Sequence, residues 1–182
     1  MIRQSARLVC HPDSASAAVD WIEVTLSAGP HRTLSLAFAA GGAMAGVRVP
    51  SPAAPRRADG LWRHTCFEGF VGRAASRAYC EFNFAPSGAW AAYPFRDYRD
   101  RETFDLDLEP RITVRAADDR LQLEALVPLD ACAFAPGEVL RLGLAAVIEE
   151  QSGRLTYWAV RHPPGPPDFH HPDGFAIQLL WE

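Results

Sequence analysis

The chain contains no lysine, few cysteines and no long apolar run. Its 18 basic residues are all arginines, set against 22 acidic residues, so the net charge is -4 and no basic stripe is present. Because nucleic-acid-binding surfaces need clustered cations, we expect no nucleic-acid partner. No apolar stretch approaches the roughly 20 residues of a transmembrane helix, and residues 1–20 lack the pattern of a secretory signal. We therefore predict a cytoplasmic protein with no membrane partner.

Metal-binding cysteine motifs are absent as well. Cys10, Cys66, Cys80 and Cys132 show no CxxC spacing and no zinc-type pairing with histidines. Cys66 and Cys80 fall on predicted strands that could be neighbours, so a disulfide between them is conceivable, although a cytoplasmic setting disfavours it. We predict that all four side chains are reduced and act as small apolar packing residues.

Helical periodicity is nearly absent from the sequence. Eleven short segments alternate apolar and polar residues, and glycine, proline, aspartate and asparagine separate them. Many short strands with frequent turns are typical of an all-β sandwich or barrel. A length of 182 residues, 48% of them hydrophobic, suits one well-packed core and is short for two. We predict a single domain over residues 1–182, with exposed loops at residues 50–60 and 163–173.

Residues 61–95 carry the clearest pattern. Segments 65–71, 78–84 and 89–95 read as three strands of a β-meander, with a Pro-Ser-Gly turn before the third. Sugar- and cofactor-binding sandwiches present rings and polar groups on one sheet face, so the pattern favours a binding domain over a catalyst. Alternation along the second segment predicts a polar, solvent-facing side with Tyr79, Glu81 and Asn83, and a core side with Cys80, Phe82 and Phe84.

Three segments carry a resemblance to a known family. They are LWRHTCFE at 61–68, YCEFNFAPSG at 79–88 and PDFHHP at 167–172, before Phe175. In this order they resemble the DOMON-like superfamily, which includes the family 9 carbohydrate-binding modules and haem-binding cytochrome domains. The resemblance implies a two-sheet antiparallel β-sandwich of roughly ten or eleven strands, with a site for sugars or haem b on one sheet. It also places the Phe-His-x-Pro element in the loop before the last strand.

Aromatic residues are the first candidates for ligand contact, because the apolar face of a sugar ring packs on such rings. Packing in the core or at its rim is the alternative for each of them. We interpret Trp21 and Trp181, which alternate with aliphatic neighbours, as packing residues. The candidates for a stacking platform are Trp62, Trp90, Tyr93, Tyr98 and Trp158.

Polar residues near these rings complete the predicted site as donors and acceptors for sugar hydroxyls. A salt-bridged sheet surface is the alternative. Glu68 and Glu81 would repel each other as cross-strand neighbours, so we expect Arg63 or Arg96 between them. Two such carboxylates could also serve a glycosidase at separations of about 5 to 10 Å, but we favour a non-catalytic protein. The polar candidates are Arg63, Glu68, Tyr79, Glu81, Asn83, Arg96 and His170.

A metal or a haem would be an alternative use of the histidines. Asp168, His170, His171 and Asp173 could supply metal ligands, but they crowd around Pro172, so we predict a structural loop and no metal.

The superfamily's cytochrome members hold iron with methionine and histidine. Met44, with His162 or His64, is the corresponding candidate pair for haem b, although Met44 lies in a glycine-rich stretch. We predict no cofactor and a small-molecule ligand, preferably a carbohydrate or sugar-derived metabolite. A protein-interaction module that uses the 50–60 loop or a sheet edge remains a further alternative.

Overall fold

The computed structural model describes residues 3–29 and 32–181. This part of the chain contains β-strands and short 3-10 helices and no α-helix, and no helix in it has the length and hydropathy to cross a membrane. The strands are β1 (Arg3–Cys10), β2 (Val19–Gly29), β3 (Thr33–Gly42), β4 (Arg56–Arg57), β5 (Cys66–Arg73), β6 (Tyr79–Phe84), β7 (Ala89–Asp97), β8 (Asp100–Arg101), β9 (Arg111–Ala116), β10 (Arg120–Pro128), β11 (Val139–Glu149), β12 (Leu155–Ala159) and β13 (Ile177–Leu180).

The strands form two hydrogen-bonded layers that share β1. The back sheet has the order β1-β2-β3-β10-β9, and the site sheet has the order β4-β7-β6-β5-β11-β12, with β8 on β7 and β13 on β11. Residues 3–8 of β1 pair with β2, whereas Val9 and Cys10 pair with β12, so the chain of strands curls from one layer into the other. Among the described strands only β4 and β7 pair in parallel. The predicted all-β sandwich is confirmed.

The predicted strand number is close to the observed one. Thirteen strands are present in the described residues, two of which, β4 and β8, have two residues each. The short β4 lies in the segment predicted as the 50–60 loop, where Arg56 and Arg57 pair with Ala89 and Trp90. The other predicted loop, 163–173, contains no strand and runs into a 3-10 helix at Pro172–Gly174.

A continuous apolar core lies between the two sheets. The rings of Phe38 on β3 and Phe67 on β5 meet across it with centroids 5.1 Å apart. Strand β10 shows that the outer face of the back sheet is exposed to solvent. Its residues Leu121, Leu123 and Ala125 are buried, while the residues between them are exposed. Alternation of this kind correctly predicted a strand with one side in the core.

The site sheet is buried on both faces, which the sequence analysis did not predict. Tyr79, Glu81 and Asn83 were expected to face solvent, but they are only 4%, 5% and 0% exposed. A second apolar cluster causes this burial: the Phe175 ring packs against Phe70 and Tyr79, at 5.9 and 5.2 Å between centroids. The segment 160–176, here called the covering loop, thus lies over the outer face of the site sheet.

The cysteines are all free thiols. Cys80 belongs to the core between the sheets, and Cys132 packs against that core from a 3-10 helix. Cys66 is fully buried, and burial together with the nearby charge of Glu68 raises the pKa of its thiol. Cys10, like Cys132, is partly buried and packs against the core, as predicted.

Candidate functional site

A cavity of about 570 Å³ opens on the outer face of the site sheet, beneath the covering loop. Adjacent strands supply its floor. Alternate residues of a strand point to the same face, and the residues paired with them on the neighbouring strands point to that face as well. This arrangement brings together Glu68 of β5, Glu81 of β6, Tyr93 of β7, Val147 of β11 and Tyr157 of β12. A volume of this size lies within the usual range for small-ligand pockets.

Two buried glutamates lie diagonally across neighbouring strands on this floor. Glu68 is opposite Asn83 in the β5–β6 register, and Glu81 is opposite Phe70. Burial and the charge of Glu81 hold the pKa of Glu68 well above its ordinary range. Burial also raises the pKa of Glu81 to about 7, against a hydrogen bond from Asn83 and the nearby charges of Arg101 and Arg99. The pair therefore retains a proton near neutral pH, which gives the floor both a donor and an acceptor.

The floor also contains acceptor atoms that no described residue satisfies. Asn83 Nδ2 donates to Glu81 Oε1 at 2.8 Å. Glu68 Oε1 and Asn83 Oδ1, in contrast, are buried and have no hydrogen-bond partner among the described residues. A buried acceptor without a donor costs about 1 to 3 kcal/mol. Glu68 lines the cavity, so a ligand hydroxyl placed there, which can both donate and accept, would supply the missing partner.

His170, a residue of the covering loop, contacts the floor of the cavity through Tyr79. Tyr79 Oη lies 2.8 Å from His170 Nδ1, and the backbone N–H of Arg99 donates to the same Tyr79 oxygen. Burial and the charge of Arg99 lower the pKa of His170 to about 4, so the imidazole is neutral near pH 7. Burial raises the pKa of Tyr79 to about 12, so its hydroxyl keeps its proton and donates it to Nδ1. This assignment leaves the imidazole proton on Nε2, which lies 3.7 Å from Glu81 Oε2.

Aromatic rings form the walls of the cavity. Trp62 is 40% exposed and meets the edge of Tyr93 at 6.0 Å between ring centroids. Tyr157 and Phe169 form a second edge-to-face pair at 6.2 Å. Rings beside a polar floor are the combination that sugar recognition requires, because a pyranose has apolar faces and a hydroxyl-bearing rim.

Half of the twelve predicted site residues line this cavity. They are Trp62, Arg63, Glu68, Glu81, Tyr93 and His170. Asn83 lies beside Glu81 as its hydrogen-bond donor. Tyr79 and Tyr98 instead line a smaller cavity of about 360 Å³ that shares His170 with the first one. The Tyr98 hydroxyl donates to Asp168 at 2.6 Å. A role in ligand binding stays a prediction for all of these residues.

Three predicted site residues lie elsewhere. Trp90 and Trp158 were expected near the polar face, but both belong to the core between the sheets. In β7 and β12 the outward-facing positions are instead occupied by Tyr93 and Tyr157. Both faces of these two strands carry apolar or aromatic residues, so the sequence does not show which face points outward. Arg96 was a candidate bridge between the glutamates, and this placement is also wrong: it points away from the cavity and pairs with Asp100 at 2.5 Å.

The sequence analysis missed several lining residues. Leu155 and Tyr157 alternate with the buried Thr156 and Trp158, and both faces of the strand carry a ring, so alternation alone did not identify the outward face. Other lining residues reach the cavity only because a loop folds over the sheet, and loop residues show no periodic pattern in the sequence. The missed lining residues are Phe95, Arg99, Arg101, Val147, Leu155, Tyr157, Pro167 and Phe169.

The candidate haem ligands are engaged elsewhere in the structure. Met44 is buried in the core between the sheets. His162 Nε2 contacts the backbone oxygen of Val9 at 2.8 Å, and His64 Nδ1 lies 2.7 Å from Glu149. Across residues 3–29 and 32–181, no group of three or more His, Cys, Asp or Glu side chains is arranged to hold a metal ion.

The loop residues that were weighed as metal ligands have partners within the protein. Asp168 accepts from Arg99 at 2.8 Å and from the backbone N–H of His170 at 3.1 Å. His171 Nδ1 accepts from the backbone N–H of Asp173 at 3.2 Å and caps the following 3-10 helix. These contacts fix the covering loop over the cavity.

Solved structures with a similar fold were found, whereas no family model and no curated protein sequence matches the chain. A candidate carbohydrate-binding protein from Bacteroides uniformis superposes with a TM-score of 0.71 at 16% identity, over 100% of this chain and 86% of its own. A family 9 carbohydrate-binding module from Caldicellulosiruptor kristjanssonii, in complex with cellotriose, gives a TM-score of 0.54 at 12% identity, over 88% and 75%. Its complex with glucose gives 0.53 at 12%, over 84% and 72%. At these identities the likeness establishes the fold.

Proposed function

We propose that this protein binds a carbohydrate or a sugar-derived metabolite, without chemical conversion, in the cavity beneath the covering loop. One observation carries the proposal: the buried, unpartnered Oε1 of Glu68 lies on the floor of an aromatic-walled cavity. A hydroxyl-rich ring satisfies such a floor through hydrogen bonds and covers the walls through its apolar face. The structural neighbours, which include modules in complex with cellotriose and glucose, support this reading of the fold.

The protonation of the floor also supports hydroxyl recognition. A sugar hydroxyl is both donor and acceptor, and it is best matched by a pair of groups that together offer both roles. A buried pair, in which the pKa of both Glu68 and Glu81 is raised, provides this match without a full buried charge on each residue. Two ionised carboxylates would repel each other and would cost far more to desolvate.

Calorimetric titration with a panel of neutral and acidic mono- and disaccharides tests the proposal. Trp62→Ala should weaken binding of any sugar that binds by about tenfold, the equivalent of one lost stacking contact. Phe104→Ala is the matched control, since Phe104 is a large exposed ring, 57% exposed, that does not line the cavity. If no sugar binds, or if both variants bind like the parent, the proposal is wrong.

A separate assay tests the alternative that the protein is a glycosidase. Chromogenic glycosides incubated with the protein should release no product above the background rate. Release that Glu81→Gln abolishes would replace the binding proposal with hydrolysis.

A further inference from the structure

Three arginines line the cavity, and they differ in how far the protein neutralises them. Arg99 donates to Asp168 at 2.8 Å and is therefore paired. Arg101 has only Asp105, at 3.8 Å, and that carboxylate lies 2.7 Å from Arg57. Arg63 makes no side-chain hydrogen bond or ion pair with any described residue. Arg63 thus has no anionic partner among the described residues, and Arg101 shares its partner with Arg57.

The cavity glutamates compensate for these charges only in part, although Arg99 and Arg101 lie near Glu81. Burial and the adjacent Glu81 favour the neutral form of Glu68, and burial disfavours the charged form of Glu81. Asp59 lies behind the wall and accepts the hydroxyl proton of Tyr93 at 2.7 Å. The lining therefore carries an excess of positive charge, although the whole chain has a net charge of -4.

Both arginines belong to elements that lie beside Tyr93. The Cζ of Arg101 is 4.1 Å from the centroid of the Tyr93 ring. Arg63 follows Trp62, whose ring meets Tyr93 at 6.0 Å, in the same 3-10 helix. One wall therefore combines two rings with two cations.

Both side chains are accessible to a ligand. Arg63 and Arg101 are exposed. Gly60, before the 3-10 helix that contains Arg63, has a φ of +74°, which a side chain would strain. A Cβ added at Gly60 would come within 3.7 Å of Arg63 Nε, so the arginine runs alongside the glycine backbone.

We propose that the preferred ligand is an acidic sugar, whose carboxylate or phosphate contacts Arg63 and Arg101 while its hydroxyls contact Glu68 and Glu81. This inference rests on the proposed function and narrows its ligand class. Guanidinium groups match the planar, two-oxygen edge of a carboxylate or phosphate. A neutral sugar would leave Arg63 without a counter-charge and Arg101 with only the carboxylate of Asp105, which Arg57 shares.

Glucose, glucuronate and glucose 6-phosphate are the probes, titrated calorimetrically into the intact chain at low and at physiological salt. At least one acidic probe should bind about tenfold more tightly than glucose, as expected for a charge-assisted contact, and salt should weaken that preference. Comparison of the two acidic probes tells whether a carboxylate or a phosphate is recognised.

Variants connect the preference to the two arginines. Arg63→Gln and Arg101→Gln should each reduce the ratio of acidic-probe affinity to glucose affinity by about three- to tenfold. Arg101→Lys, which keeps the charge, should retain part of the preference. Arg96→Gln is the matched control, because Arg96 is paired with Asp100 outside the cavity.

The possible results separate this inference from the proposed function. If glucose binds as tightly as both acidic probes, or if Arg63→Gln and Arg101→Gln leave the preference unchanged, the acidic-sugar inference is wrong while sugar binding stands. If none of the three probes and no other sugar binds, both are wrong.

Discussion

The hydroxyl of Tyr79 donates to Nδ1 of His170 at 2.8 Å, which ties the covering loop to the floor of the site sheet. The same oxygen accepts the backbone N–H of Arg99 at 3.2 Å. One buried hydroxyl thus connects β6, the turn before β8 and the covering loop. The shape of the cavity depends on this junction, since His170 lines it.

Tyr79→Phe tests the junction. The variant leaves His170 Nδ1 buried without its donor, so we expect a loss of about 1 to 3 kcal/mol in the free energy of unfolding. Urea denaturation measures this loss. Tyr157→Phe is the control, because the Tyr157 hydroxyl makes no hydrogen bond with a described residue although its ring lines the same cavity. Equal stability of both variants would contradict the stabilising role of the Tyr79–His170 hydrogen bond.

Glu68→Gln should stabilise the protein in a pH-dependent way. The folded-state pKa of Glu68 is raised above its unfolded value, so the parent loses stability as pH rises from about 4.5, where the unfolded chain ionises. Glutamine does not ionise. We therefore expect near-equal stability at pH 4 and a gain of about 1 to 3 kcal/mol for the variant at pH 8. Glu124→Gln, exposed on the back sheet, should show no such trend. A Glu68→Gln variant destabilised at pH 8 would oppose this account.

His170 should give the opposite pH dependence. Its folded-state pKa of about 4 lies below the unfolded value of 6.5, so its contribution is complete above pH 6.5 and is lost as pH falls towards 4. Relative to His170→Asn, the parent should lose up to about 3 kcal/mol of stability over this range. Unfolding curves from pH 4 to pH 7.5 measure the difference. A difference that does not change with pH would show that His170 is not buried in its neutral form.

Truncation of three aromatic residues tests which side chains form the core. Phe82→Ala and Trp90→Ala should each cost about 3 to 5 kcal/mol, because both side chains are buried between the sheets. Trp62→Ala should cost less than about 1 kcal/mol, since Trp62 is 40% exposed at the cavity wall. Thermal melting compares the three variants. Similar losses for Trp62→Ala and Trp90→Ala would contradict this placement.

The sequence predicted the fold better than it predicted the site. Strict alternation in β6 correctly assigned Phe82 to the core and Glu81 to the opposite face, because polar and apolar residues differ there. In β7 and β12 this contrast is missing, since rings occupy both parities. Trp90 and Trp158 were therefore named as candidates, whereas Tyr157 was not.

The burial of the polar face could not be predicted from β6 itself. It depends on the covering loop, where Phe175 and His170 pack against Phe70 and Tyr79. The cavity residue Arg101 lies on the two-residue strand β8, which is too short for a periodic signal. Contacts formed by loop closure are long-range, and one sequence contains no direct record of them.

Fluorescence titration with sugars tests the central claim most directly. All five tryptophans are described, and Trp62 alone lines the cavity. A sugar bound there should change the intrinsic emission of the parent, and Trp62→Phe should abolish most of that change while the sugar still binds calorimetrically. A sugar-dependent change that persists undiminished in Trp62→Phe would place the ligand elsewhere and contradict the account.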